Sequence, residues 1–259
     1  MRLIDSRTGR SSDLRPAHRG LLRVTVHAGH PTRPFDLSDL RALLVADLLR
    51  RTAEFGGDLQ ASVTWALPEL PAAQVTALAH DADLLGVHPP DSTADDGPAD
   101  LRVLAPDAGT DRTAGVVLVA APARPSVPGP GGTPLGFLDG LSTEPLAVRL
   151  ALLRRPYRTP VGLTGPALAG AQDTLDRWRR LVAQWAEEPS RPPLAAPVRD
   201  AFAAFDDDLD TGTALNVLEL AAHSAEPAGA RFETFVRVDR VLGLELPQAI
   251  GWAAAGPWS

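Results

Sequence analysis

The spacing of apolar residues changes once along this chain, and that change constrains the fold more than any other feature. Up to about residue 140, apolar runs typical of buried strands alternate with segments of helical spacing, whereas from Pro145 onward the spacing is helical throughout. Alternating strands and helices predict a parallel sheet. We therefore predict an α/β, Rossmann-like (HUP-type) domain over residues 1–140 and an all-α helical-bundle domain over residues 141–259.

The front half predicts the order strand, loop, helix, strand, helix. The predicted elements are strands Leu21–His27 and Leu59–Trp65, helices Asp36–Phe55 and Ala72–Leu85, and a short strand Leu101–Leu104. Ala114–Ala121 is apolar throughout, which is typical of a strand at the centre of a parallel sheet. Pro122–Thr133 is rich in proline and glycine and predicts a loop.

The back half predicts only helices, because its apolar residues recur every three to four positions. The predicted helices are Leu146–Leu153, Pro166–Trp185, Pro197–Phe205, Thr213–His223 and Ala230–Leu242. Trp178, Trp185 and Trp252 are interpreted as packing residues.

The amino-acid composition excludes several kinds of catalytic and metal-binding group. The net charge is −7 with an isoelectric point near 5.3, which disfavours tRNA and other nucleic acids as partners. The chain has no cysteine, and all 25 basic residues are arginine. Thiolate nucleophiles, cysteine zinc ligands and lysine ammonium groups are thereby excluded, and no zinc is expected. Without an apolar run long enough to cross a membrane or a secretory leader, we expect a cytoplasmic protein, as a monomer or weak dimer.

Six segments, taken in chain order, carry a family resemblance: Leu3–Arg10, Val45–Arg51, Leu84–Pro90, Ala147–Leu153 with Tyr157–Pro160, Asp206–Thr211 with Ala214 and Leu215, and Asp239–Leu244. Together they resemble cysteinyl-tRNA synthetase and the related cysteine ligase of mycothiol synthesis. The resemblance implies a class I synthetase-like fold and ATP-dependent formation of an aminoacyl adenylate. The chain looks like a truncated paralogue of these enzymes, with the zinc-bearing insert deleted between Pro90 and Ala114.

The family signatures for adenylate formation are altered. The H-I-G-H signature aligns with Asp36-Leu37-Ser38-Asp39, so both histidine positions hold aspartate. The lysine-bearing loop aligns with Pro122–Thr133, and the leading zinc cysteine aligns with His27. Since carboxylates repel phosphates where imidazoles would attract them, the usual reaction is expected to be suppressed.

Each candidate site residue also has a purely structural interpretation. Asp36, or else Ser38, can cap the first helix and Asp39 suits its dipole; the alternative is a Mg²⁺ ion between the two aspartates. A ligand pocket could form at the end of the first strand, as is common in α/β sheets. Its candidate residues could instead have purely structural roles, buried in the core or hydrogen-bonded within the loop: His27, His30, Thr32, Arg41 and Trp65. A weak phosphate-loop pattern comprises Arg124, Gly129, Gly131 and Gly132.

The acidic run Asp206–Asp208 with Asp210 could suggest a metal cluster, but it is better interpreted as a solvated turn between helices, with Asp210 or Thr211 as the next cap. No metal is assigned.

Several functions stay open at this point. The first is a pseudoenzyme that binds an unknown protein partner or small molecule, without a cofactor. The second is a ligase that joins a cysteine-like amino acid to a small amine, and only this alternative requires ATP and Mg²⁺. The third is tRNA aminoacylation, which the charge and the altered signatures disfavour. Unrelated chemistry on the same fold is a fourth.

Overall fold

The computed structural model describes residues 1–57, 59–93, 97–108, 115–125 and 138–251. Its strands are β1 Arg2–Asp5, β2 Arg10–Asp13, β3 Leu21–His27, β4 Gln60–Ala66, β5 Leu101–Leu104, β6 Val116–Val119, β7 Ala123–Pro125 and β8 Val161–Leu163. Its helices are α1 Leu37–Gly56, α2 Ala72–Leu84, α3 Pro145–Leu153, α4 Gly165–Trp185, α5 Ala195–Asp206, α6 Thr211–Ala222 and α7 Ala228–Leu242.

The main sheet is parallel, with the strand order β4-β3-β5-β6. Helices flank it, and further helices follow, which confirms the predicted α/β architecture with a helical back half. The division into two domains near residue 140 stays a prediction. One continuous hydrophobic cluster includes residues from the sheet, from α1 and from the back-half helices.

Strand β6 lies at one end of this sheet, so the prediction that Ala114–Ala121 forms its centre is wrong. The strand is nevertheless apolar because the N-terminal segment covers its outer edge. The backbone N–H of Ser6 donates to the Val117 carbonyl at 2.8 Å, and the Val119 N–H donates to Ser6 Oγ at 2.9 Å. A covered edge strand therefore has the sequence pattern of a central one.

The predicted loop Pro122–Thr133 begins with a strand, which corrects that prediction over its first residues. Ala123, Arg124 and Pro125 form β7 and pair in parallel with β8. Residues 126–137 lie outside the described part of the chain. The sequence could not indicate β7 because its partner β8 lies in the back half and contributes only three residues.

Helix α1 lies between the sheet and the back-half helices and is buried along most of its length. It contacts β3, β4 and β5 as well as α5 and α7. A helix that is enclosed on all sides is expected to be apolar all round. This one instead buries Ser38, Asp39, Arg41, Asp47 and Arg50, so each of those polar side chains requires internal partners.

A buried charge cluster joins the two halves at the middle of α1. Asp47 is inaccessible to solvent, and its Oδ2 accepts from Arg149 Nη2 at 2.7 Å and from Arg51 Nε at 2.8 Å. Its Oδ1 accepts from the backbone N–H and ring Nδ1 of His88. Burial alone would raise the pKa of Asp47, but the charges of Arg149 and Arg51 and the hydrogen bond from His88 hold it well below its ordinary value.

Arg149 is fully buried, and its guanidinium also donates to the carbonyls of Leu85, Gly86 and Leu242. Gly243, at the end of α7, has a φ of +64°, and a Cβ built there would lie 2.7 Å from Arg149 Nη2. The position therefore requires glycine for both its backbone conformation and its close approach to the guanidinium. We call Asp47, Arg51, His88, Arg149 and Gly243 the charge hub.

The acidic turn after α5, Asp206–Asp210, also connects separate parts of the chain. Asp210 caps α6 by accepting from the Thr213 N–H at 3.0 Å, which confirms the predicted cap. The interpretation of the whole run as solvated is wrong for Asp208, whose side chain is 11% exposed. It accepts from the Ile4 N–H and the Tyr157 hydroxyl and pairs with Arg158, so it fastens β1 to the segment after α3.

The predicted packing role of two tryptophans is confirmed, since Trp178 and Trp185 are both buried against Phe235. Trp252 lies outside the described residues. Among the described helices, none is both long and apolar enough to cross a membrane.

Candidate functional site

The carboxyl ends of the parallel strands and the start of α1 meet at one edge of the sheet, where open α/β sheets generally bind ligands. His27 ends β3, and the loop over residues 28–35 leads directly into α1. The first helical turn would normally offer free N–H groups and a partial positive charge to an anion at this edge.

That first turn is capped by the chain itself. Asp36 Oδ1 accepts from the Ser38 N–H at 2.7 Å and from the Asp39 N–H at 3.4 Å. Asp39 in turn accepts from the Asp36 N–H at 2.9 Å, which completes a capping box. The predicted N-cap role of Asp36 is confirmed. A carboxylate now lies where a bound phosphate would find its backbone donors.

Asp39 is fully buried, and its two oxygens accept from several donors in the preceding loop. Oδ1 accepts from the Gly29 N–H at 2.8 Å, and Oδ2 accepts from Arg33 Nη1 at 2.7 Å. Arg33 Nη1 also lies 3.6 Å from Asp36 Oδ2. Arg33 therefore balances one of the two negative charges, mainly that of the buried Asp39, and these contacts hold the loop against α1.

The same contacts bear on the Mg²⁺ alternative. An ion between Asp36 and Asp39 would have to displace the Arg33 guanidinium, which already supplies the compensating positive charge. In the described part of the chain, no group of three or more histidine, cysteine or acidic side chains is arranged to hold a metal ion.

Ser38 and Arg41, near the start of α1, form hydrogen bonds with the backbone of residues 121–123 and 156–159. Ser38 Oγ donates to the Ala123 carbonyl at 3.1 Å and accepts from the Ala123 N–H at 3.2 Å. Arg41 is 1% exposed and donates to the carbonyls of Ala121, Thr159 and Pro156, while burial lowers its pKa to about 10. The structure thus places the Arg41 charge on backbone carbonyls instead of in an open pocket.

The two histidines of the edge have different environments. His27 is buried, and its Nε2 lies 3.0 Å from Arg102 Nη1 on the neighbouring strand β5. Since the guanidinium can only donate, Nε2 accepts and the ring proton resides on Nδ1. His30 Nδ1 is 3.2 Å from the Thr32 N–H and 3.0 Å from Thr32 Oγ1, within the loop.

The remaining candidate residues are spread around this edge. Trp65 is buried in β4 beside Val26 of β3. Arg124 is exposed in β7, opposite Gly162. Gly129, Gly131 and Gly132 lie outside the described residues, so the phosphate-loop interpretation stays a prediction. The structure brings Asp36, Ser38 and Asp39 together in one capped turn beside Arg33, and it places His27 beside Arg102 at the end of β3; the sequence had indicated neither arginine.

Known relatives of this chain share one kind of name. A protein from Thermobifida fusca, named L-cysteine:1D-myo-inositol 2-amino-2-deoxy-alpha-D-glucopyranoside ligase, is 45% identical over 83 residues, covering 32% of this chain and 19% of the relative. Ligases of the same name from Cellulomonas flavigena and Streptosporangium roseum are 38% and 36% identical over 115 and 119 residues. Part of this chain is therefore similar to those ligases.

These matches cover 42% and 43% of this chain for the latter two relatives, and 26% and 28% of the relatives themselves. The chain thus spans well under half the length of the curated ligases it matches. No protein-family model matches it. The ligase homology agrees with the family resemblance of the six segments, including the cysteine ligase named there.

The six segments that carry the predicted family resemblance contribute to structural junctions. The charge hub draws its side chains from Val45–Arg51, Leu84–Pro90, Ala147–Leu153 and Asp239–Leu244. The acidic turn joins the other segments, through contacts of Asp208 with Ile4, Tyr157 and Arg158. All six segments therefore contribute to these two clusters, whereas the two histidine positions of the predicted signature hold Asp36 and Asp39.

Proposed function

We propose that this chain is a synthetase-like ligase homologue that does not form an adenylate by the usual route and acts as a cytoplasmic binding or regulatory protein. Its partner would be a protein or a small molecule. The observation that carries the proposal is the capping box at the start of α1, where Asp36 occupies the first-turn N–H groups.

Electrostatics support this proposal. A phosphate approaching the first turn would meet the half-exposed Asp36 carboxylate. Two unit charges ~4 Å apart at an effective dielectric constant of ~20 interact by roughly 4 kcal/mol. Because ~1.4 kcal/mol corresponds to a tenfold change in rate, one such repulsion suppresses the reaction by orders of magnitude.

Two of the arginines near this repulsion are already engaged, which leaves the exposed Arg124 of β7 as the cation that could offset part of it. Arg33 pairs with Asp39, and Arg41 donates to three backbone carbonyls. The chain contains no lysine that could replace them. Adenylate formation needs donors directed at the developing charge, and Arg33 and Arg41 direct theirs at Asp39 and at backbone carbonyls.

A second candidate function is supported by the homology. The relatives are named as ligases that act on L-cysteine and an amino sugar, at 36% to 45% identity. Under this alternative, the chain would join an amino acid to a small amine with ATP and Mg²⁺. tRNA charging is disfavoured by the net charge of −7, and a mobility-shift assay with bulk tRNA at low salt tests it separately.

The deciding experiment is ATP–pyrophosphate exchange, measured with each proteinogenic amino acid in turn. We expect no exchange above the enzyme-free background, while a standard aminoacyl-tRNA synthetase run in parallel verifies the assay. Exchange that depends on one amino acid would overturn the proposal in favour of the ligase alternative. In that case, addition of candidate amines would identify the second substrate.

A further inference from the structure

A cleft in the helical half is lined by positively charged side chains, whereas the start of α1 at the edge of the sheet carries aspartates. It has a volume of about 540 Å³ and lies between the end of α3 and the facing sides of α4 and α6. This volume is within the range of small-molecule sites, ~300–1,000 Å³. Gly212 at the start of α6 contributes no side chain, which keeps that wall open.

Three arginines line the cleft: Arg154, Arg155 and Arg177. Glu219 is the single acidic residue among the described lining residues, so the cleft carries a formal charge of +2 in a chain whose net charge is −7. Burial lowers the pKa of Arg154; Glu219 opposes that shift and the charge of Arg177 adds to it. Like charges are thus held close together.

Glu219 is fixed in place and does not neutralise all three cations. Its carboxylate accepts from Arg177 Nη2 at 2.8 Å and from Trp178 Nε1 at 3.0 Å. Arg154 donates from Nη2 to Thr174 Oγ1 and the Gly170 carbonyl, neither of which is charged. Arg155 is exposed, its backbone N–H donates to the Leu152 carbonyl, and its guanidinium has no hydrogen-bond or ion-pair partner among the described residues.

We propose that this cleft binds a small molecule carrying a phosphoryl group, with Arg154 and Arg155 contacting the phosphoryl oxygens and Arg177 held in position by Glu219. Arginine presents several N–H donors in a planar fork that matches phosphate oxygens. The buried side chains of Trp178, Leu150 and Leu215 form the base of the cleft beneath the arginines. This inference is independent of whether the sheet edge forms an adenylate.

The test is calorimetric titration of the full chain with pyrophosphate, AMP and citrate, at low and at moderate salt. Pyrophosphate and AMP separate a free phosphate from the phosphate of a nucleotide, and citrate reports on carboxylates. We compare the wild type with Arg155→Gln and with Arg180→Gln. Arg180 is exposed on the same helix as Arg177 but does not line the cleft, so it is the matched control for lost charge.

We expect saturable binding of at least one phosphoryl probe by the wild type and by Arg180→Gln. Binding by Arg155→Gln should be about tenfold weaker, since a hydrogen bond to a charged group typically contributes about that factor. Arg177→Gln, checked for folding by thermal unfolding, should also weaken binding. No saturable binding, equal losses in Arg155→Gln and Arg180→Gln, or binding of citrate alone would each overturn the proposal.

Discussion

Helix α1 carries two buried aspartates in opposite situations. Asp39, in its first turn, is compensated by Arg33 and by backbone N–H groups from the adjoining loop, all within ten residues of sequence. Asp47, in its middle, is compensated by Arg149, which lies 102 residues away, and by His88. The first arrangement caps the start of α1 at the edge of the sheet, and the second joins two halves of the fold.

This difference explains how a chain can resemble a ligase while its signature positions are altered. Residues of the charge hub depend on one another, because removal of any one leaves a buried charge or a clash behind. Residues at the start of α1 need only satisfy the local backbone, which aspartate does well as a cap. We therefore expect substitutions in the two regions to have different consequences.

The largest effect is expected from Asp47→Asn. The substitution leaves Arg149 and Arg51 without their shared counter-charge in the interior, so the free energy of unfolding should fall by about 3–5 kcal/mol. Urea denaturation measures this change. Asp173→Asn, at an exposed position on α4, is the control and should change stability by less than about 0.5 kcal/mol. Similar values for the two variants would refute the hub.

Gly243→Ala should destabilise the protein by about 2–4 kcal/mol, from the unfavourable backbone conformation together with overpacking against Arg149. Gly9→Ala separates these causes. Gly9 has nearly the same φ, +65°, but no atom lies within 4 Å of its built Cβ. The stability loss of Gly9→Ala should therefore be smaller than that of Gly243→Ala by the contribution of overpacking. Equal losses would show that Arg149 does not constrain position 243.

The charge hub also predicts a pH dependence. Because the folded-state pKa of Asp47 is depressed, its stabilisation is fully present above the unfolded value of 3.8 and is lost as pH falls through the folded value. The stability difference between wild type and Asp47→Asn should therefore shrink below about pH 4. Urea titrations from neutral to acid pH measure it, and a constant difference would contradict the depressed pKa.

The smallest effect is expected at the start of α1. Asp36→Ala removes the cap and should lower the free energy of unfolding by about 1 kcal/mol, whereas Asp36→Asn keeps an acceptor and should be nearly neutral. Thermal unfolding distinguishes these variants. A loss with Asp36→Asn as large as with Asp36→Ala would mean that the charge, not the hydrogen bond, stabilises this turn.

Local features of the fold could be predicted from the sequence, and long-range ones could not. The run Leu21–His27 matches β3 residue for residue, and Asp36 is the cap that its position before an apolar helix indicates. The pairing of Asp47 with Arg149 could not be predicted, because a single charged residue in an otherwise apolar helix does not indicate which residue it contacts. That isolated arginine in Ala147–Leu153 was the available signal.

The candidate site could be predicted only in part, because its local residues follow a sequence pattern and its long-range contacts do not. Asp36 and Asp39 could be placed at the edge by their spacing from the first strand, but their ion pairs with Arg33 depend on the path of the loop. Arg41 was predicted to line a pocket at the end of the first strand. Its burial against the Ala121, Pro156 and Thr159 carbonyls depends on the packing of the segment after α3, which no local pattern specifies.

The most direct test of the central claim is an amide NMR titration of isotope-labelled protein with ATP and Mg²⁺. If Asp36 closes the first turn of α1, the resonances of Gly29, Ser38 and Asp39 should not show saturable shifts, even if amides around the helical cleft do. Saturable shifts of those three resonances that persist in Arg155→Gln would show that nucleotide binds at the start of α1 and would contradict the account.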